Sequence, residues 1–186
     1  MRALLIVVLS ALPFIAAAQN LVVRPGDNLG AVVQTPGIDE YRMSGGTVQS
    51  LAQGDARDFF EMFAGLIIGA FEDGDVAFFY GGEIGRVDMK LDNNLFDMFG
   101  GRILGNLVTG FGNDTIFLRG GSIGGNISTS GGVDTFTITG GELKGNLLAS
   151  FGNDVLTWKN GGIIRGFIDM AATTTWQRCS TSMPAF

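Results

Sequence analysis

The chain has 186 residues, enough for one domain of ordinary size, and carries 18 acidic against 12 basic residues, a formal charge of −6. That sign gives it no electrostatic route to nucleic acid or to an anionic membrane surface. Its 30 glycines and 4 prolines follow no triplet period and 46% of the residues are hydrophobic, which excludes both collagen and a disordered glycine linker.

Residues 1–18 read as a cleaved secretory signal. Arg2 supplies the positive start, Ala3 to Leu12 is mostly apolar, Pro13 breaks the run, and Ala16-Ala17-Ala18 offers small residues for cleavage before Gln19. The apolar run is short for a membrane anchor, and no later segment has the length of a transmembrane helix. Loss of the leader removes Arg2 and leaves 11 basic against 18 acidic residues, or −7. The next stretch, 19–38, contains Leu21-Val22-Val23 and Ala31-Val32-Val33 and is expected to be an N-terminal cap or an incomplete first coil.

Between residues 39 and 170 the chain repeats itself. Seven units align on Gly45-Gly46, Ala64-Gly65, Gly81-Gly82, Gly100-Gly101, Gly120-Gly121, Gly140-Gly141 and Gly161-Gly162, starting 19, 17, 19, 20, 20 and 21 residues apart. Asp39, Asp58, Asp75, Asn94, Asp114 and Asp134 each stand six residues before the first member of the pair, and Asp154 stands seven before it. Such a side chain bonds nearby backbone and starts a turn.

The second and fourth positions after this residue are apolar in every unit, from Tyr41 and Met43 through Ile116 and Leu118 to Leu156 and Trp158. A period of two predicts a short strand with one buried face. Beyond the glycines come Val48, Ile67, Ile84, Ile103, Ile123, Leu143 and Ile164, then Leu51, Phe71, Val87, Leu107, Ile127, Leu147 and Ile168. Twenty residues are too few for a βαβ unit, which needs about thirty, but they suffice for one turn of a solenoid. The expected fold is therefore all-β, a single-stranded parallel β-helix of about seven coils, each burying its apolar face against the next. A membrane barrel fits less well, since its strands need about nine to eleven residues and these are interrupted by glycine.

Residues 171–186 abandon the pattern and are expected to form an irregular C-terminal tail, either a cap on the stack or the altered end of a longer array. The single cysteine, Cys179, lies here, so no internal disulfide can hold the chain.

Chemistry is sparse. The chain has no histidine, which removes Ser/His/Asp and Cys/His arrangements and the commonest zinc ligand. Carboxylates are the plentiful reactive groups, and Asp114, Asp134 and Asp154 stand one unit apart, at a spacing that would suit an acid and nucleophile pair. They obey the repeat, however, whereas one substrate needs one site, so a turn-building role is expected. An acidic cleft of a polysaccharide hydrolase or lyase would instead draw on the non-repeat carboxylates Glu72, Asp73, Glu83, Asp88 and Asp97. Gly110 to Asp114 partly matches the glycine-aspartate turns of calcium β-rolls, but the nine-residue repeat of those proteins is missing. Phe59, Phe63 and Phe78 fall on the outward phase and suggest a sticky stripe for a partner or another copy.

Units such as Gly120-Gly121-Ser122-Ile123-Gly124-Gly125-Asn126-Ile127 with Gly131-Gly132-Val133-Asp134-Thr135-Phe136, and Gly140-Gly141-Glu142-Leu143-Lys144-Gly145-Asn146-Leu147 with Phe151-Gly152-Asn153-Asp154-Val155-Leu156, resemble the passenger repeats of bacterial autotransporters. The resemblance covers about Asp39 to Asp169 and implies a right-handed parallel β-helix, exported to or released from the surface of a Gram-negative bacterium or kept in its periplasm. The family's C-terminal translocation barrel does not follow these repeats. The function expected is a non-enzymatic exported scaffold or adhesin-like passenger fragment, with the carbohydrate-active enzyme and the calcium-stabilised β-roll as alternatives. No catalytic, cofactor-binding or metal residue is assigned and no cofactor is expected; the partners that fit are a surface glycan or host protein, export machinery, or a second copy.

Overall fold

A twenty-residue unit with inward apolar residues can bury them only against the same residues of the neighbouring unit. The computed structural model, which describes residues 19–171 and 175–177, shows that solution: strands joined by turns, all pairing in parallel, with coils about 20 residues apart. Residues 1–18, the expected leader, and most of the expected tail, with Cys179, lie outside the described residues.

The first coil holds β1 (Asn20–Val23) and β2 (Asn28–Val33), the second is β3 (Glu40–Ala52) and the third β4 (Phe59–Glu72). The fourth holds β5 (Val76–Phe79) and β6 (Glu83–Asp88), the fifth β7 (Leu95–Met98), β8 (Arg102–Ile103) and β9 (Leu107–Phe111). The sixth is β10 (Thr115–Leu118), β11 (Ser122–Ile123) and β12 (Ile127–Gly131), and the seventh β13 (Thr135–Ile138), β14 (Glu142–Leu143) and β15 (Leu147–Leu148). The eighth holds β16 (Val155–Trp158), β17 (Ile163–Ile164) and β18 (Ile168–Asp169), after which β19 (Thr175–Gln177) runs along β16. There are thus about eight turns, one more than the repeat alignment gives, because β1 and β2 stack on β3 in register.

Three ladders run up the stack. Ile84, Ile103, Ile123, Leu143 and Ile164 are direct register partners, and the first four are at most 1% exposed. The rows through Tyr41, Phe60 and Ala77 and through Leu51, Phe71 and Val87 complete a continuous apolar interior. Inside it Phe60 stacks on Tyr41 at 5.6 Å between ring centres and on Phe71 at 4.2 Å. Trp158 departs from expectation: it is 40% exposed and its indole N–H donates to Gly162 O at 2.7 Å. It lies in the eighth coil, where one extra residue precedes β17.

The glycine pair has a simpler logic than it suggests. The residue in the left-handed region always stands seven places after the phased position, at Gly46, Gly65, Gly82, Gly101, Gly121, Gly141 and Gly161. Gly26, seven places after Gln19, joins the series with φ 92° and marks the first coil. At Gly121, φ is 76° and an added Cβ would lie 2.5 Å from Gly101 O of the coil before. A left-handed L-residue costs about 1–2 kcal/mol before any collision is counted. Gly121→Ala should therefore lower the unfolding free energy by more than about 2 kcal/mol in urea denaturation, while Gly30→Ala, where a Cβ meets no heavy atom within 4 Å, should stay within about 0.5 kcal/mol.

Candidate functional site

The phased acids come first because the repeat places them in one row. Asp39, Asp58, Asp114, Asp134 and Asp154 are buried, as is Asn94, and Asp75 is half-buried. At every step of this row but that from Asp75 to Asn94, whose Oδ1 is buried without a partner, the backbone N–H of one coil reaches forward to a carboxylate of the next: Asp39 N donates to Asp58 Oδ1 at 2.6 Å and Asp58 N to Asp75 Oδ2 at 2.8 Å. Asn94 N, Asp114 N and Asp134 N donate to Asp114, Asp134 and Asp154 Oδ1, each at 2.9 Å. Gln19 N likewise donates to Asp39 Oδ1. A second row runs the other way on another corner, with Asn126 N and Asn146 N each donating at 2.8 Å to the side chain of Asn106 and Asn126 in the coil before.

Burial pushes the carboxyls of Asp58 and Asp114 up to about 6 and raises those of Asp75 and Asp154. The Thr109 hydroxyl, donating to Asp114 Oδ2 at 2.6 Å, and the Asn94 N–H partly oppose the shift at Asp114, while the Asp134 charge adds to it. Asp114, Asp134 and Asp154 are thus brought together as their spacing suggests, but inside the wall, where no sugar reaches them. Asp114 of the Gly110 to Asp114 turn faces Thr109 and Asn94. Among the described residues no group of three or more His, Cys, Asp or Glu side chains is disposed to hold a metal ion.

The non-repeat carboxylates do not meet in one groove. Arg86 joins Glu72 to Asp88, with Nη1 at 3.3 Å from Asp88 Oδ2, and Lys90 Nζ lies 2.6 Å from Asp73 Oδ2. Glu83 faces Arg102 at 3.5 Å, and Asp97 is held by Arg119 through two bonds of 2.7 and 3.1 Å. Each acid is matched to a base, an arrangement that holds neighbouring coils together.

A cleft of about 410 Å³ does open next to this cluster, lined by Asp55, Asp73, Asp75 and Asp92 around Lys90, with Met89 and Leu91. Its origin is a short corner. Leu51 and Asp58 stand seven positions apart, as do Val87 and Asn94, but Phe71 and Asp75 only four, so the corner Asp73–Asp75 forms a low floor between two larger loops. Gly74 permits this closeness: a Cβ there would lie 2.3 Å from the Phe71 ring. Asp73, Lys90 and Asp92, at the rim, have φ of 59°, 62° and 75°, a conformation uncommon for residues with side chains. Asp55 and Asp92 were not among the residues singled out from sequence; the signal was the 17-residue spacing of this unit.

The outward aromatics form a different feature from the one expected. Phe59 and Phe63 are exposed but Phe78 is half-buried, and the stripe runs Phe63–Tyr80–Phe99 with ring centres 4.8 and 4.9 Å apart. Arg42 lies over the outer face of Phe63 at 4.9 Å, and Arg119 lies over Phe99 at 5.3 Å and Phe117 at 4.4 Å. The ring faces are thus used within the molecule, and only their edges meet solvent.

The chain matches no protein-family model, and searches of curated proteins and of solved structures returned no significant match. Its assignment rests on the geometry above. The Arg119–Asp97 pair gives a direct check: Arg119→Met leaves Asp97, 6% exposed, without its partner and should cost about 1–3 kcal/mol of stability, of which Asp97→Asn on the same background restores part in a double-mutant cycle.

Proposed function

We propose that the chain is an exported, non-enzymatic scaffold, a surface rod or adhesin-like passenger piece of the kind its repeats resemble. One observation carries the reading: the reactive groups that the repeat supplies, the phased aspartates, are consumed in joining coil to coil. Eight coils at the normal interstrand spacing place the first and last about 34 Å apart, a stiff spacer whose outer loops can vary without disturbing the ladder. The leader-like 1–18 supports export, and the partners that suit such a rod are a surface glycan, a host protein or a second copy.

The cleft at the short corner favours a second reading, a carbohydrate-active hydrolase or lyase, because four carboxylates and one lysine line it. Both readings meet in one experiment. The full chain, tagged at its C-terminus and produced in a Gram-negative host, should be recovered from periplasm, outer membrane or medium with Gln19 at its start, and should leave a panel of neutral and acidic polysaccharides uncut. Retention in the cytosol with Met1 in place would overturn export, and cleavage abolished by Asp73→Asn or Asp92→Asn would move the assignment to the enzyme.

A further inference from the structure

The aspartate row does more than mark corners. An ionised carboxylate wants donors on both oxygens, yet Asp58 Oδ2, Asp134 Oδ2 and Asp154 Oδ2 are buried without a hydrogen-bond partner. Where a second donor exists, it is supplied locally: Thr35 N donates to Asp39 Oδ2 at 2.6 Å, and Thr109 Oγ1 to Asp114 Oδ2. The row also stacks like charges at one-coil intervals. We propose that this buried column is a proton-operated fastener: in mildly acidic surroundings it takes up protons and grips the coils more tightly, and at neutral pH its charge loosens the stack.

Like charges face Asp58, Asp75, Asp114 and Asp154 and favour uptake there. Asp58 is faced by Asp39, Asp75 and Asp73, and Asp154 by Asp134. Asp114 is faced by Asp134, with Thr109 and Asn94 as its donors. Asp75 is faced by Asp58, whose N–H it accepts, by Asp92 and Asp73, and by the cation of Arg57. Asn94 places a neutral amide in the column: its Nδ2 donates to Leu91 O at 3.1 Å and to Thr109 O at 3.0 Å, while its Oδ1 is buried without a partner.

The sign follows from linkage. With burial raising Asp58 and Asp114 to about 6, the folded chain holds protons that the unfolded chain, titrating near the ordinary value of 3.8, has released. The stabilisation is complete below about pH 4 and is lost as pH rises through about 6. Between pH 7.5 and 5.0 each of these two residues should raise the folded-to-unfolded ratio about tenfold. The chain has no histidine to titrate in this window.

Urea denaturation of the full chain at constant ionic strength should give a higher midpoint at pH 5.0 than at 7.5, and Asp58→Asn with Asp114→Asn should flatten that difference. A midpoint that is unchanged or falls on acidification, or a slope untouched by the two substitutions, would overturn the proposal. Carboxyl ¹³C titration of the unsubstituted protein gives a second reading that does not depend on the variants folding: at least two aspartates should titrate near pH 6, and a set confined to the ordinary range would overturn it as well.

Discussion

No coil of this protein can bury its own apolar residues, so the fold depends on the parallel main-chain ladder between coils and on whatever holds that ladder in register. Two devices bracket the first strand of most coils. At its start, the backbone N–H of one coil is caught by the aspartate of the next, and seven positions later a left-handed glycine turns the chain while lying almost against the coil before. Between these points the strand has room for two inward side chains, and their stacking follows. Register is thereby fixed by short-range contacts as well as by the buried apolar rows.

The same arrangement buries charge, a tension that the chain resolves differently along its length. Thr35 and Thr109 supply second donors to Asp39 and Asp114, Asn94 replaces the acid by an amide, and Asp58, Asp134 and Asp154 keep an oxygen without a donor. A buried carboxylate left so is costly when ionised, so the corners that give the rod its register also make it sensitive to protons.

Much of the architecture was readable from the residues because a solenoid writes its structure once per turn. The period-two pairs such as Tyr41 with Met43 and Phe136 with Ile138, and the row through Ile103, Ile123 and Leu143, lie where their spacing puts them. The first coil was harder to see: Gln19 stands where later coils have aspartate or asparagine, although Leu21, Val23 and Gly26 keep phase. Trp158 was misplaced because alternation alone does not register the extra residue that precedes β17 in this coil. The cleft lay in a departure from the period, the four-residue step from Phe71 to Asp75, and such a step says that a corner is short without saying which loops will overhang it. The aromatic stripe was hidden likewise, since Phe63, Tyr80 and Phe99 follow the end of the alternating segment and form a column only once the coils are stacked.

The most direct test of the account is whether coils lie on one another in the stated register. On a Cys179→Ser background, cysteines at Thr137 and Thr157, which are register partners on β13 and β16, stand one interstrand spacing apart and should form a disulfide readily on mild oxidation. Cysteines at Thr135 and Thr157, two positions out of register, should not. Equal cross-linking of the two pairs, or preference for the second, would contradict the stacked solenoid from which the rest is derived.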